Sequence, residues 1–499
     1  MSSSSFTDHE SESSSRCFYN LDNSQETIAT EDATPFGYNE KSEDIHVENL
    51  DSEKCGEGLP HTRVPNGSRA PLGLATTQKS ENTGVKATKE STRVSVNNAS
   101  QIPNGGFQAW MQVVGGFFLF FNTWGIINTF GVYQTIYETS YLRSSSPSSI
   151  SWIGSLQIFL LMVGGALTGP IYDAGHFRAL IAVGSFLIVF GHMMLSVCTS
   201  YWQIILAQAF CIGIGSGCLF VPAVAIISTY FNSKLALATG IAASGSSLGG
   251  VLYPIILNRL YKPIGFGWSV RIIGFLALVT LLIPIMVMKP RVLPAAKRAL
   301  IDWTAFKSAP FMIFTLGSFI GFMGLFMFFF YIQLYAIRKH VTNENLAFYL
   351  LSMLNAASTF GRIIPNFVAD RVGPLNIIVP CALISGILIF TLIPVNNLAG
   401  TIIVTLLYGF FSGAFVSLTP TIIVQHLSPN RGLVGTRLGM SFSIIAVGAL
   451  IGNPIAGAIL DVKGFISVWI FGGTLVLLGG VFMAISRVIL VGWKPFVKA

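Results

Sequence analysis

The sequence predicts an all-α integral membrane protein with twelve transmembrane helices in two six-helix halves. Three observations predict it. The chain is 52% hydrophobic and 10% charged, with a mean hydropathy of +0.65, which lies outside the range of soluble globular proteins. After a polar tail it carries twelve apolar segments of spanning length. Glycine, proline and aspartate then recur at matching places in the first and last six segments.

The elements follow in order. Residues 1–104 are rich in Ser, Thr, Asn, Glu and Gly without hydrophobic periodicity. They bury too little apolar surface to offset their ordering entropy, and a disordered cytosolic tail is expected. Nothing in MSSSSFTDHE resembles a secretory signal, so the first span is expected to direct insertion. The expected spans are 109–133, 150–172, 178–198, 203–227, 235–257 and 268–288, then 309–333, 345–369, 375–394, 399–424, 434–460 and 465–488. The halves thus occupy 105–288 and 309–488. Between them lies a basic loop, 289–308, with Lys289, Arg291, Lys297, Arg298 and Lys307, and 489–499 forms a short tail. Basic residues favour the connections that place both termini in the cytosol by about two to one. A multi-pass protein of the plasma membrane is expected, embedded in lipid and monomeric.

The repeats are specific in order. The second span ends Gly169-Pro-Ile-Tyr-Asp173 before Gly175 and Arg178, and the eighth ends Asn366-Phe-Val-Ala-Asp370 before Arg371 and Gly373. Gly213, Gly217 and Pro222 correspond to Gly409, Gly413 and Pro420. Gly240, Gly249 and Pro254 correspond to Gly439, Gly448 and Pro454. These glycines read as close helix contacts rather than phosphate loops, because no flanking strand or Gly-Lys-Ser/Thr accompanies them.

Charge points to the candidate site. Between Ile102 and Ala499 the acidic residues are Glu138, Asp173, Asp302, Glu344, Asp370 and Asp461, none in the middle of an apolar segment. Arg362 is different. It lies eight residues inside its span from Asp370, roughly 12 Å deep at the rise of an α-helix. A guanidinium there stays charged and has no carboxylate at its depth, so its partner is expected to be an anion arriving from outside. Asn355, Ser358, Thr359, Arg362 and Asn366 form one polar stripe at three- and four-residue spacing. Span one offers Asn122, Trp124, Asn128 and Thr129. The expected binding residues are Arg362, Asn128, Ser358, Asn355, Thr359, Asn122 and Trp124. The aromatic run Phe319–Tyr331 is expected mostly to pack, with a few rings lining the pathway. His192 is expected to be a buried neutral group on a scaffold helix. Asp173, Arg178, Asp370 and Arg371 are candidate gate residues, because a carboxylate there can meet a helix N-terminus of the other half.

No metal or cofactor is expected, since Cys17, Cys55, Cys198, Cys211, Cys218 and Cys381 show no ligand spacing. The scattered basic residues argue against nucleic-acid binding. No nucleophile–base pair lies in the spans, so no enzyme is expected.

The loops at Asp173 and Asp370 resemble the G-x-x-x-D-R-x-G-R hallmark of the major facilitator superfamily, with Ala174 in place of the basic residue and Asn366 in place of the glycine. Further runs resemble the fungal branch of the monocarboxylate porter family. These are Pro103-Asn-Gly-Gly-Phe-Gln-Ala-Trp110, Ser149-Ile-Ser-Trp-Ile-Gly-Ser155, Ser228-Thr-Tyr-Phe231, the Gly240–Gly250 segment and Gly361-Arg362. That resemblance implies an alternating-access carrier with an anion-binding Arg362. Ser358 and Asn128 stand where animal lactate carriers have an aspartate and a lysine, so tight proton coupling is not expected. The expected activity is transport of a monocarboxylate or other organic anion. Export of a carboxylated secondary metabolite is slightly favoured over uptake. A nutrient sensor of the same fold and an importer of a neutral metabolite remain alternatives.

Overall fold

The computed structural model describes residues 102–291, 301–429, 433–493 and 497. Residues 1–101 of the expected disordered tail, and Lys297, Arg298, Arg431, Lys494 and Lys498, lie outside the described residues; within its last three residues Asn104 is ordered, its Oδ1 accepting from the Asn232 and Ser233 N–H groups at 2.6 and 3.0 Å.

All regular structure among the described residues is helical. Among the described residues nine helices are long and apolar enough to cross a membrane. Two of them, Leu235–Val287 and Val434–Val491, run to 53 and 58 residues, and each breaks at a glycine of positive φ, Gly265 (79°) and Gly464 (74°). Only glycine adopts that conformation without strain, so each glycine divides a long apolar stretch in two. A further helix, Glu344–Val372, falls outside the nine because it carries Arg362 and a charged end. The helices are α1 Phe107–Tyr141, α2 Pro147–Asp173, α3 Phe177–Leu195, α4 Tyr201–Tyr230, α5 235–264 and α6 266–287. They continue as α7 Ala309–Arg338, α8 Glu344–Val372, α9 Pro374–Thr391, α10 Leu398–Gln425, α11 434–463 and α12 465–491.

Local chemistry sets their ends. The Ser146 hydroxyl caps α2 by accepting from the Ser149 N–H at 3.1 Å, with Pro147 at the first helical position. Asn343 and Asn397 cap α8 and α10 by accepting from Leu346 and Gly400 at 2.9 and 2.7 Å. α1 is the irregular helix. It breaks at Thr123 and Thr129, whose hydroxyls donate back to the Leu119 and Gly125 carbonyls at 2.8 and 2.9 Å. Such back-bonding competes with the helical ladder and bends it. A π-turn then carries α1 on to Tyr141, eight residues past the expected end.

Burial sorts the helices. The apolar windows of α1, α4 and α7 are 83, 78 and 72% buried, against 44% for α3. Val183, Phe186 and Phe190 on α3, and Phe275, Val279 and Met286 on α6, face outward, as lipid-facing side chains do. The first six helices meet the last six along three lines. α2 approaches α11 at Ser148/Gly457 and Ala166/Gly439, α5 approaches α8 at Gly240/Arg362 and Gly250/Asn355, and α1 approaches α7 at Gly131/Phe329. At Gly240 and Gly250 an added Cβ collides with the Arg362 carbonyl and the Asn355 amide. The absent side chains are what let α5 lie against α8 beside the buried arginine.

Near the start of α11, Arg437 is buried and locks down the end of the central connection. It donates to Asp302 Oδ2 at 2.8 Å, the Leu427 carbonyl at 2.6 Å and Thr304 Oγ1 at 3.2 Å, and it lies over the Phe311 ring. Burial pushes the Asp302 carboxyl up, but its bonds from Thr304 and Arg437 outweigh that and hold it below its ordinary value. The depressed carboxyl stabilises the fold above its unfolded pKa, and the contribution is lost as pH falls through the folded value. Asp302→Ala is expected to cost about 1–3 kcal/mol, and the acid side of a melting-temperature profile should flatten. An unchanged profile would remove the pair from the stability account.

Candidate functional site

Arg362 reaches the region between the two sets of helices. It is 3% exposed. Its Nε donates to Ser358 Oγ at 3.3 Å. Among the described residues it has no carboxylate partner, and its other N–H groups have no acceptor. Arginine offers five donors and no acceptor, so most of this fork is unused. It borders a small cavity of about 10 Å³, lined also by Phe120 and Trp124 of α1, Phe220 of α4, Thr239 and Ala243 of α5, Phe322 of α7, Val416, Ser417 and Pro420 of α10, and Phe442 of α11. That is room for about one water. Helices of both halves of the chain therefore contribute to one space with one fixed charge.

Two of the expected binding residues, Arg362 and Trp124, line this cavity. Trp124 stacks on Phe326 of α7 at 6.0 Å between centroids with planes 14° apart. The others are held in helix contacts. Asn122 donates to Thr280 at 2.9 Å and accepts from Tyr253 at 2.7 Å, tying α1 to α5 and α6. Asn128 reaches the Ser246 carbonyl of α5 at 3.5 Å. Ser358 accepts from Ser247 of α5 at 3.1 Å. Asn355 donates to the Leu351 carbonyl at 2.9 Å and is packed on Gly250. Thr359 donates to the Asn355 carbonyl at 3.2 Å. Asn366 donates to Ser417 Oγ of α10 at 2.6 Å and to the Arg362 carbonyl at 2.7 Å.

The sequence reading did not single out Phe120, Phe220, Thr239, Ser417 or Phe442. Phe322 belongs to the aromatic run of span seven. The rings come from helices far apart in sequence, and periodicity within one helix carries no signal for such a cluster.

Contacts between the first and last six helices lie on both sides of this space. At one end the Asp370 carboxylate accepts from the backbone N–H groups of Ala236 and Leu237 at 3.0 and 2.9 Å. These are orphan donors in the first turn of α5, where the helix dipole also favours a negative charge. Arg371 is exposed and lies over the Phe367 ring of its own helix at 4.5 Å. Arg178 is exposed in the first turn of α3. Asp173 ends α2, and its side chain lies outside the described part. At the other end Arg338 of α7 meets Glu138 of α1 at 3.1 Å, and the Ser148 hydroxyl of α2 donates to the Pro454 carbonyl of α11 at 3.0 Å.

His192 is remote from these elements. It is buried on α3, its Nδ1 lies 2.8 Å from the Ile188 carbonyl, and its Cβ faces Gly274 of α6. No cavity residue lies on α3. His192→Gln is expected to leave the response of flux to an imposed pH gradient unchanged. Loss of that response in vesicles would make His192 the proton carrier.

A small cavity shared by both halves of a helical membrane chain suits a molecule that moves a solute. Comparison with known proteins agrees. Residues 113–435 match the family model described as Major Facilitator Superfamily. The chain is 54% identical over 386 residues to "MFS-type transporter dbaD" of Emericella nidulans, covering 77% of this chain and 87% of that one. It is 38% identical over 381 residues to the "Aspyridones efflux protein apdF" of Emericella nidulans, covering 76% and 77%. It is likewise 38% identical over 381 residues to the "Agnestins efflux protein AgnL12" of Paecilomyces divaricatus, covering 76% and 87%. On fold, cavity and sequence together, the chain belongs to the major facilitator superfamily and is a multi-pass membrane transporter.

Proposed function

We propose that this transporter exports a small organic anion, a carboxylated secondary metabolite, by alternating access, and that it belongs to the monocarboxylate porter branch of its superfamily. The observation that carries the anion reading is Arg362, a buried guanidinium facing a shared cavity without an acidic partner among the described residues. A carboxylate supplies two acceptors in the plane of the fork and neutralises the charge at the same time. Two relatives named as efflux proteins support the outward direction.

In this reading all twelve helices cross the plasma membrane, 105–288 and 309–488 move as two halves, and the termini are cytosolic. The Asp370 contact to α5 is the inner gate, with Asp173 in the equivalent place on α2. Glu138–Arg338 and Ser148–Pro454 close the outer side. Arg338 is 46% exposed while Glu138 is 4% exposed, so solvent screens the pair from the arginine side only. Asn128, Ser358, Asn355, Thr359 and Asn122 are proposed to come within reach of the solute only as α1, α5 and α8 part.

The test is metabolite partition. Disrupting the gene in its native cell is expected to shift one or more acidic metabolites from medium to cell interior, and the intact chain should reverse this. An unchanged distribution of acidic metabolites, with neutral ones retained instead, would overturn the anion reading.

A further inference from the structure

The cavity is aromatic as well as cationic. Phe120, Trp124, Phe220, Phe322 and Phe442 surround the space that Arg362 borders. Phe220 sits at the centre of the group. Its ring meets Phe120 at 6.0 Å and 85°, Trp124 at 5.6 Å and 73°, and Phe442 at 5.2 Å and 73°. These are edge-to-face contacts, the geometry that ring quadrupoles favour. Phe442 belongs to α11 and Phe220 to α4, so the cluster joins the two halves of the chain, as does the Trp124–Phe326 stack.

Rings at helix contacts ordinarily serve packing. Here three features go further. Two of the contacts, Phe220–Phe442 and Trp124–Phe326, lie across the boundary that must part for a solute to pass. They border a guanidinium with unused donors that is buried to 3% exposure. The other polar groups of the lining are Thr239 and Ser417, and Ser417 already accepts from Asn366. The lining contains no acidic group and no second cation. A solute that enters must therefore supply one negative group and otherwise replace ring-to-ring contacts. An arene does so with like contacts, since its edges and faces fit the same quadrupoles. A saturated group of the same size fills the volume but loses the directional part.

We propose that the transported anion is aromatic, a planar or fused ring system packed on Trp124, Phe220 and Phe442 with its single negative group on Arg362. This rests on the anion reading above and adds the substrate class to it.

The experiment compares three probes on the purified full-length chain in detergent, read by ligand-induced shifts in melting temperature. They are 2-naphthoate, its fully saturated decahydro counterpart, and the neutral methyl ester of 2-naphthoate. The aromatic acid is expected to bind about tenfold more tightly than the saturated acid, the scale of one to two ring contacts. Trp124→Leu and, independently, Phe442→Leu should bring that ratio towards one while keeping the preference for acid over ester. Phe442→Leu provides the answer if Trp124→Leu fails to fold. Equal binding of the two acids, both better than the ester and both lost in Arg362→Ala, overturns the aromatic proposal and leaves the anion reading standing. Equal binding of acid and ester overturns the anion reading. No binding of either acid up to about 10 mM, the range of weak transport affinities, overturns both.

Discussion

Arg362→Ala is expected to lower transport about a hundredfold, the scale of one or two charge-assisted hydrogen bonds, while the protein folds and reaches the membrane in normal amount. The two halves of this expectation have one cause. Arg362 is buried, donates one hydrogen bond to Ser358, and has no acidic partner among the described residues. Its desolvation is not repaid within the protein, so removing the charge relieves a cost rather than creating one. The melting temperature of the variant should match or exceed that of the parent. Arg362→Lys is the sharper control. It keeps the charge but replaces a planar fork with a hydrated point charge, and most transport should still be lost. The measurements are flux in reconstituted vesicles and thermal unfolding of the same preparations. A fall in melting temperature with flux per folded molecule intact would make the arginine a structural residue.

Asp370→Ala is the second large effect. Its carboxylate holds two backbone donors of the first turn of α5 and faces the positive end of that helix. Loss of these bonds is expected to weaken closure at this end by about 2 kcal/mol, roughly thirtyfold in the population open there. Transport should fall, because a carrier that cannot close one end cannot alternate. The direct readout is labelling of Thr239→Cys by an impermeant maleimide, in a background without other reactive cysteines. Thr239 lines the cavity and is 2% exposed, so its labelling rate should rise in the Asp370→Ala protein. Asp370→Asn keeps the shape and one acceptor and should fall between. Unchanged labelling and unchanged flux would remove Asp370 from the gate.

The helical membrane fold was legible because it is written in local chemistry. Apolar runs of spanning length and the polar breaks between them report on one segment at a time, and a helix in lipid must satisfy its backbone within itself. Arg362 was legible for the same reason, as a charge whose cost is visible in its own span. The polar stripe of α8 was legible as a face but not in its consequences. Asn355 meets α5, Asn366 meets α10, Ser358 meets Ser247 of α5, and Arg362 extends into the cavity. A helix face is wide enough to touch two neighbours and a space between them, and the reach of each side chain decides which it meets.

The sequence by itself determined that this chain is a helical membrane protein with a buried cation and candidate carboxylates at the ends of its helices. Only the tertiary structure decided that Asp370 meets the N-terminus of α5, that Asp302 locks Arg437, and that five aromatic rings from four helices line the cavity that Arg362 borders. The physical reason is range. Hydrophobicity, helix breaking and desolvation cost act within a segment and leave a pattern there. The aromatic lining and the contacts at its two sides join groups mostly one to three hundred residues apart, brought together by packing whose partners no single segment specifies.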